Sequence, residues 1–159
     1  MAASSEIYSG ISLFVGREEL GVFIRDIQEI IEPIPILSVP VTHPYFSGLI
    51  SLRGSVLPVL ALNAVFHSSE NAFSNKDRKY VICQSGSESL AIDVDAVGDT
   101  FESDQLIDAD ERFTQPFINS AIVHNDKTLP LLNISDLITL TSHLNQEKRK
   151  DSGYVLTDN

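Results

Sequence analysis

The side chains best suited to acid–base, nucleophilic or metal chemistry in this sequence are four histidines and one cysteine. The histidines stand apart in predicted loops and at element ends, and none has the i, i+4 spacing of a helical metal pair: His43, His67, His124 and His143. Cys83 has apolar neighbours in YVICQ, as a small buried side chain would, and no second cysteine exists to form a disulfide. Phosphate-binding glycine loops and the GxSxG elbow are absent from the sequence. We therefore expect no enzymatic activity, no metal and no cofactor.

The acidic segment DVDAVGDTFESD, residues 93–104, partly matches a calcium-binding loop. Asp93, Asp95 and Gly98 stand at the first, third and sixth loop positions, but the fifth is valine and the twelfth is Asp104 instead of glutamate. The flanking sequence predicts strands, whereas a calcium hand has flanking helices. Solvated carboxylates at strand ends are the favoured interpretation.

One arginine interrupts an apolar run. In GLISLRGSVLPVLAL, residues 48–62, Arg53 precedes Gly54 between two strand-like segments. A guanidinium keeps its charge, so it must meet either water or a partner. Two compatible interpretations follow: an ion pair with Glu29 or Asp26 that holds two structural units in register, or a direct role in binding a partner.

Composition limits the classes of protein and of partner. The chain has 159 residues, 43% of them hydrophobic, which fits one domain or two small packed units. With 11 basic and 22 acidic residues, its net charge of −11 disfavours nucleic acids and anionic membrane surfaces as partners. The N-terminus lacks the features of a signal peptide, and no apolar run approaches the roughly 18 residues of a membrane helix. We expect a soluble cytoplasmic protein without direct membrane insertion.

Most of the chain has strand-like patterning, which predicts a mainly β fold with short helices. Four hairpins are expected, with turns at the GREE segment, at Arg53-Gly54, at a Gly-Ser pair and at Asn125-Asp126. Helical spacing of isoleucines predicts about two helical turns over RDIQEII, and Ser135 is the predicted N-cap of a short helix. The remaining segments are a strand over IPILSVP, a linker at 67–79, an acidic loop region extending to about 117, and a polar tail at 142–159.

The two halves of the chain resemble each other. The segment beginning at Leu20 aligns with that beginning at Leu90, and Leu57-Pro58 aligns with Leu129-Pro130, at nearly the same offset. Proline removes a ladder donor, so Pro58 and its counterpart are expected at strand edges or bulges. Two related small β-units packed together are therefore predicted.

The run around Arg53 resembles the signature of CheW-like domains, the bacterial chemotaxis coupling proteins: G-x-[IV]-N-L-R-G-x-[IV]-[IVL]-P-[IVL]-x-D-L. SLFVGREELGVFIRDIQEII, SLAIDVDAVGD and LPLLNISDL resemble three further family segments in the same order. The resemblance implies one domain over residues 7–141, made of two intertwined five-stranded small β-barrels. It also implies a non-enzymatic adaptor, monomeric in isolation, that joins the cytoplasmic tip of chemoreceptors to the regulatory domain of a CheA-type histidine kinase.

Matching residues carry the family's roles as expectations. Arg53 takes the position of the LRG arginine at a groove between the barrels, and Ile27 and Glu29 take positions on the receptor-tip surface. The matched glycines, valine and aspartate are expected to shape the backbone: Gly48, Gly54, Val94 and Asp95.

Two positions depart from the signature: Ser51 replaces asparagine and Ala61 replaces aspartate. The missing carboxylate at residue 61 removes one possible partner of Arg53. An alternative is therefore a divergent scaffold, in a type IV pilus or another chemosensory-like pathway, that binds receptor or localises partners without activating the kinase.

Overall fold

In a computed structural model, which describes residues 6–39, 43–68 and 73–151, strands dominate the chain. The described part contains eleven strands and two α-helices: β1 (Tyr8–Val15), β2 (Glu18–Phe23), β3 (Ile27–Ile31), β4 (Phe46–Leu52), β5 (Ser55–Ala61), α1 (Leu62–Val65), β6 (Lys79–Ser85), β7 (Glu88–Val94), β8 (Ala96–Ser103), β9 (Gln105–Asp108), β10 (Ser120–His124), β11 (Lys127–Leu131) and α2 (Ile134–Asp151). No helix in the described part of the chain combines the length and the apolar content needed to cross a membrane.

All four predicted hairpins are confirmed. They join β1 to β2, β4 to β5, β6 to β7 and β10 to β11. Each turn contains at least one residue with positive φ, the conformation that a two-residue hairpin turn requires. At two of the turns both central residues have positive φ: Arg53 and Gly54, and Asn125 and Asp126.

The strands form two sheets, and each sheet combines strands from both halves of the chain. The six-stranded sheet has the order β8-β1-β2-β11-β10-β9, and the five-stranded sheet has the order β3-β6-β7-β5-β4. In each sheet two hairpins meet through one parallel contact, where Gly21 opposes Leu131 in the first sheet and Val59 opposes Ala91 in the second. Gly21 and Ala91 are 70 residues apart, and Val59 and Leu131 are 72 residues apart, so the repeat offsets relate these two contacts. The aligned halves therefore occupy equivalent places, and their strands are exchanged between the sheets.

Closed five-stranded barrels are not confirmed. Among the described residues, the hydrogen-bonded ladders end at β8 and β9 in one sheet and at β3 and β4 in the other. The extra strand β9 lies within the acidic region that was predicted as loop. It adds a sixth strand to one sheet by pairing with β10.

The largest apolar core contains residues from both sheets and from α2. Buried side chains of β1, β2, β5, β6 and β7 contribute, and α2 adds Ile134, Leu137 and Ile138. Each sheet also encloses a smaller cluster, centred on Ile50 and Ile82 in the five-stranded sheet and on Phe101 and Ile122 in the six-stranded one. Burial of apolar surface in these three clusters is the main driving force for the fold.

Several local predictions are wrong. RDIQEII forms a 3-10 turn at Ile24–Asp26 followed by strand β3, because β-branched isoleucines suit a strand and β6 supplies a ladder. IPILSVP makes only an isolated bridge, between Leu37 and Leu49, and Pro40 lies outside the described residues.

The predictions for the linker and the C-terminal segment also need correction. Part of the 67–79 linker, residues 69–72, lies outside the described chain, and Asn75–Asp77 forms a 3-10 turn. Asn133, and not Ser135, caps α2, since its Oδ1 accepts the Asp136 N–H at 3.0 Å. The helix extends through Asp151, so the first part of the predicted tail is helical; residues 152–159 lie outside the described chain.

Candidate functional site

Arg53 lies at the tip of the β4–β5 hairpin in an unusual backbone conformation. Its φ is 50° and that of Gly54 is 83°, so both central residues of the turn are left-handed. Glycine adopts this conformation without strain, which explains the residue type at position 54. The turn places the Arg53 side chain at the end of the five-stranded sheet, where 72% of it is exposed.

Arg53 forms an ion pair with Glu29 of β3, as one of the two sequence interpretations predicts. The Glu29 side chain is 27% exposed. Glu29 lies on the edge strand β3 and Arg53 directly follows the other edge strand, β4, so this pair connects residues from opposite sides of the sheet. An ion pair so exposed to water contributes about 1 kcal/mol or less to stability. The guanidinium is thus oriented by Glu29 while its remaining N–H groups face solvent.

A shallow depression of about 350 Å³ surrounds the pair. Its walls come from β3, the β4–β5 hairpin, β6 and β7, which all belong to the five-stranded sheet. The expected position of Arg53, a groove between two barrels, therefore differs from the observed one, because the site lies within a single sheet. Charge recognition by Arg53 and hydrogen bonding by serine and glutamine side chains are the chemistry that this surface can provide.

The structure brings Arg53 and Glu29 together but places Ile27 elsewhere. Ile27 pairs with Cys83 and packs against the largest core, so its side chain does not line the depression. It matches the role of a core contact better than that of a binding residue.

Gly48 and Pro58, two further residues of the motif, shape the backbone in different ways. A Cβ on Gly48 would lie 2.4 Å from the carbonyl oxygen of Leu37, so only glycine permits this approach. Pro58 lies in an interior strand, directly before the parallel ladder with β7 begins at Val59. The β4–β5 register is irregular between Phe46 and Gly48, next to the Leu49–Pro58 pair, so Pro58 lies beside a bulge. Proline is tolerated here also because the ladder with β7 starts one residue later.

Val94 and Asp95 lie where one sheet passes into the other. Val94 is buried at the end of β7, and Asp95 is only 5% exposed. The Asp95 carboxylate accepts hydrogen bonds from Gly16 N–H at 2.7 Å and from Asn63 Nδ2 at 2.6 Å. These contacts give Asp95 a structural role.

The neighbouring carboxylate, Asp93, is held by arginine. Arg78 contacts it through Nε at 3.2 Å and through a terminal nitrogen at 2.5 Å. Burial raises the pKa of Asp93, and the opposing effect of Arg78 offsets this only in part. Asp93 and Asp95, the first two aspartates of the calcium-like segment, therefore bind protein groups.

Sequence reasoning missed several members of the site. Gln28 donates to Gln84 at 2.7 Å beside the depression, and Ser89 lines it. Val56, next to the turn, is 61% exposed but does not line the depression, since it alternates with Leu57, which does. Gln28 adjoins Glu29 on β3, whereas Gln84 and Ser89 come from β6 and β7, which only the sheet order brings near Arg53.

The departure at position 61 lies far from Arg53. Ala61 ends β5 and is the N-cap of α1, while Arg53 precedes the other end of that strand. A seven-residue strand extends for about 20 Å. A carboxylate at this position would therefore cap α1 and could not hold Arg53. Ser51 lies exposed on β4, opposite Val56.

A family model for the CheW-like domain matches residues 9–142 of this chain. The chain belongs to the CheW-like domain family. The match includes both sheets, the Arg53 turn and the first part of α2.

Individual relatives agree with this assignment. The chain is 34% identical over 79 residues to "Chemotaxis protein CheW" of Helicobacter pylori, covering 50% of this chain and 47% of the relative. It is 25% identical over 100 residues to "Chemotaxis protein CheW" of Treponema pallidum, covering 61% and 59%. The matches thus span about half to three fifths of these two relatives. A crystal structure of the scaffolding protein TtCheW from Thermoanaerobacter tengcongensis shares the fold, with a TM-score of 0.72, 22% identity and coverage of 80% of this chain and 89% of that one.

Proposed function

We propose that this CheW-like domain is a non-catalytic scaffold in chemotaxis-type signalling that connects a chemoreceptor tip to a CheA-type histidine kinase. The observation that carries the proposal is the Arg53 site. The family signature, a strained turn and an ion pair together present one oriented guanidinium that is mostly exposed. Such a group binds a carboxylate of a partner through directed hydrogen bonds. Both relatives described above are named as chemotaxis proteins, which supports the same pathway.

The proposal is tested by titrating the chain with the regulatory domain of the kinase and, separately, with a receptor tip fragment. We expect both to bind. We expect Arg53→Ala to weaken binding of at least one partner about tenfold or more, since it removes a charged contact. Because the ion pair is exposed, the unfolding free energy should fall by no more than about 1 kcal/mol.

The matched control is Arg112→Ala. Arg112 is also an exposed arginine paired with a glutamate, Glu18, at an N–O distance of 3.5 Å, but it lies away from the depression. Its loss should leave both affinities unchanged. Equal effects of the two variants, or no binding of either partner to the folded chain, would contradict the proposal.

The alternative, a divergent scaffold, is distinguished by a kinase assay added to the titrations. It would bind receptor and yet fail to raise kinase activity in reconstituted assemblies. The position of Ala61 weakens the case for it, since the change at this residue does not touch the Arg53 site.

A further inference from the structure

The six-stranded sheet has a cavity at the place that corresponds, by the internal repeat, to the Arg53 depression of the other sheet. It has a volume of about 220 Å³ and is lined by β1, β2, β8 and the β10–β11 hairpin. By the repeat offsets, Asp99 of this cavity corresponds to Glu29, and Asn125 corresponds to Arg53. Asn125 has φ of 51° and Arg53 has φ of 50°, so the two side chains leave equivalent turns.

The register of the strands supports this equivalence independently. Where β1 has one residue, Ser12, the paired strand β8 has two, Gly98 and Asp99. In the other sheet, β3 has an extra residue at the equivalent place, Gln28. A bulge of this kind redirects side chains, and here it brings an acidic residue to the same place in both sheets.

The cavity has an acidic residue, Asp99, at the position of Glu29 but no arginine at the position of Arg53. Glu29 is neutralised by Arg53, whereas Asp99 has no hydrogen-bond or ion-pair partner among the described residues. Lys127 lines the same cavity, but its ammonium is already paired with Glu19. The cavity therefore has one unpaired carboxylate at its rim.

An unsatisfied hydroxyl lines the cavity as well. Ser12 is 4% exposed, and its Oγ has no hydrogen-bond partner among the described residues. A buried polar atom without a partner costs free energy, and a bound donor would remove that cost. A Cβ at position 98 would lie 2.2 Å from this Oγ, so Gly98 is the residue type that makes room for the hydroxyl.

We infer that this cavity binds the guanidinium of an arginine side chain supplied by a partner polypeptide. The guanidinium would donate to the Asp99 carboxylate and to Ser12 Oγ, and its methylene stem would lie against Phe101 and Leu129, which also line the cavity. The net charge of −11 favours a basic partner segment. A free amino acid fits less well, because its α-carboxylate would approach an acidic rim.

The inference is tested by ¹⁵N NMR titration of the full chain with N-acetyl-arginine amide. We expect shifts at Asp99, Thr100 and Leu129, with weak, millimolar affinity. Asp99→Asn should lower the affinity about tenfold or more, and Ser12→Ala should lower it less. Asn125→Arg should abolish binding, because it supplies an arginine from the chain itself at a turn with nearly the same φ as the one that holds Arg53.

Three controls make the outcome decisive. Asp108→Asn removes an exposed carboxylate of β9 outside the cavity and should change nothing. N-acetyl-lysine amide should bind more weakly, since an ammonium lacks the planar fork, and free arginine should bind more weakly than the blocked probe. Equal binding of the lysine probe, binding unaffected by Asn125→Arg, or the absence of localised shifts would overturn the inference. None of these results depends on chemotaxis, because no partner protein is present in the titration.

Discussion

At the scale of single residues, the buried carboxylate of Asp95 forms hydrogen bonds with parts of the chain that are distant in sequence. Asp95 accepts hydrogen bonds from the β1–β2 turn at Gly16 and from Asn63 of α1. Its own N–H donates to the carbonyl oxygen of Phe14 at 2.9 Å. Hydrogen bonds to an ionised group contribute more than neutral ones, and truncation of a buried acceptor leaves its donors unsatisfied.

We expect Asp95→Ala to lower the free energy of unfolding by about 2 kcal/mol or more, because Gly16 N–H and the Asn63 amide lose their acceptor. Urea denaturation measures the change. Asp104→Ala, which removes an exposed carboxylate, should change stability by less than about 0.5 kcal/mol. Similar losses in the two variants would show that the buried hydrogen bonds matter little.

The single cysteine gives a second prediction at this scale. Cys83 is fully buried, and burial raises the pKa of its thiol. Thiolate formation is therefore suppressed near neutral pH, and reagents also lack access to the sulfur. We expect Cys83 to react with a maleimide at pH 8 only as fast as the protein opens, and rapidly in 6 M guanidinium. Fast labelling of the native chain would contradict the buried position of β6.

At the scale of elements, α1, the shorter of the two α-helices in the described part of the chain, lacks a side-chain cap. Ala61 is the N-cap of α1, and alanine provides no acceptor for the first N–H groups. The acidic side chains of Asp93 and Asp95 lie close by, since Ala61 pairs with Asp93 and Asn63 contacts Asp95. A neutral cap should therefore be favoured here over an acidic one.

We expect Ala61→Asn to raise the free energy of unfolding by about 0.5–1 kcal/mol, and Ala61→Asp to raise it less because of repulsion from the two aspartates. Thermal unfolding at low and high salt distinguishes the two, since salt should narrow the difference between them. A larger gain for aspartate than for asparagine at low salt would contradict the electrostatic part of the prediction.

At the scale of the whole molecule, the exchange of strands makes the two halves depend on each other. The hairpin β1–β2 lies beside β10–β11, and β6–β7 lies beside β4–β5. Edge strand β3 comes from the first half of the chain and pairs with β6 from the second. Neither half can complete a sheet or bury the shared core without the other.

We therefore expect fragments 1–72 and 73–159 to be unfolded when separate and to assemble into a native-like complex when mixed. Circular dichroism and amide NMR spectra of the single fragments and of the mixture measure this. The matched comparison is the intact chain at the same concentration. A fragment that folds cooperatively alone would show that its half contains a sufficient core.

The sequence by itself determined the hairpins and the repeat, because turn residues and period-two patterning act locally, and its motifs determined the family. It left the pairing of Arg53 with an acidic residue as one of two interpretations. Only the tertiary structure decided that RDIQEII ends in a strand, since isoleucine spacing fits both states and the ladder with β6 selects one. It also decided that the two sheets are not closed barrels, that Asn133 caps α2, and that the Arg53 site lies within one sheet. The pairing of Ser12 with the bulge at Gly98 and Asp99 depends on strand register across 86 residues of sequence, which no local pattern encodes.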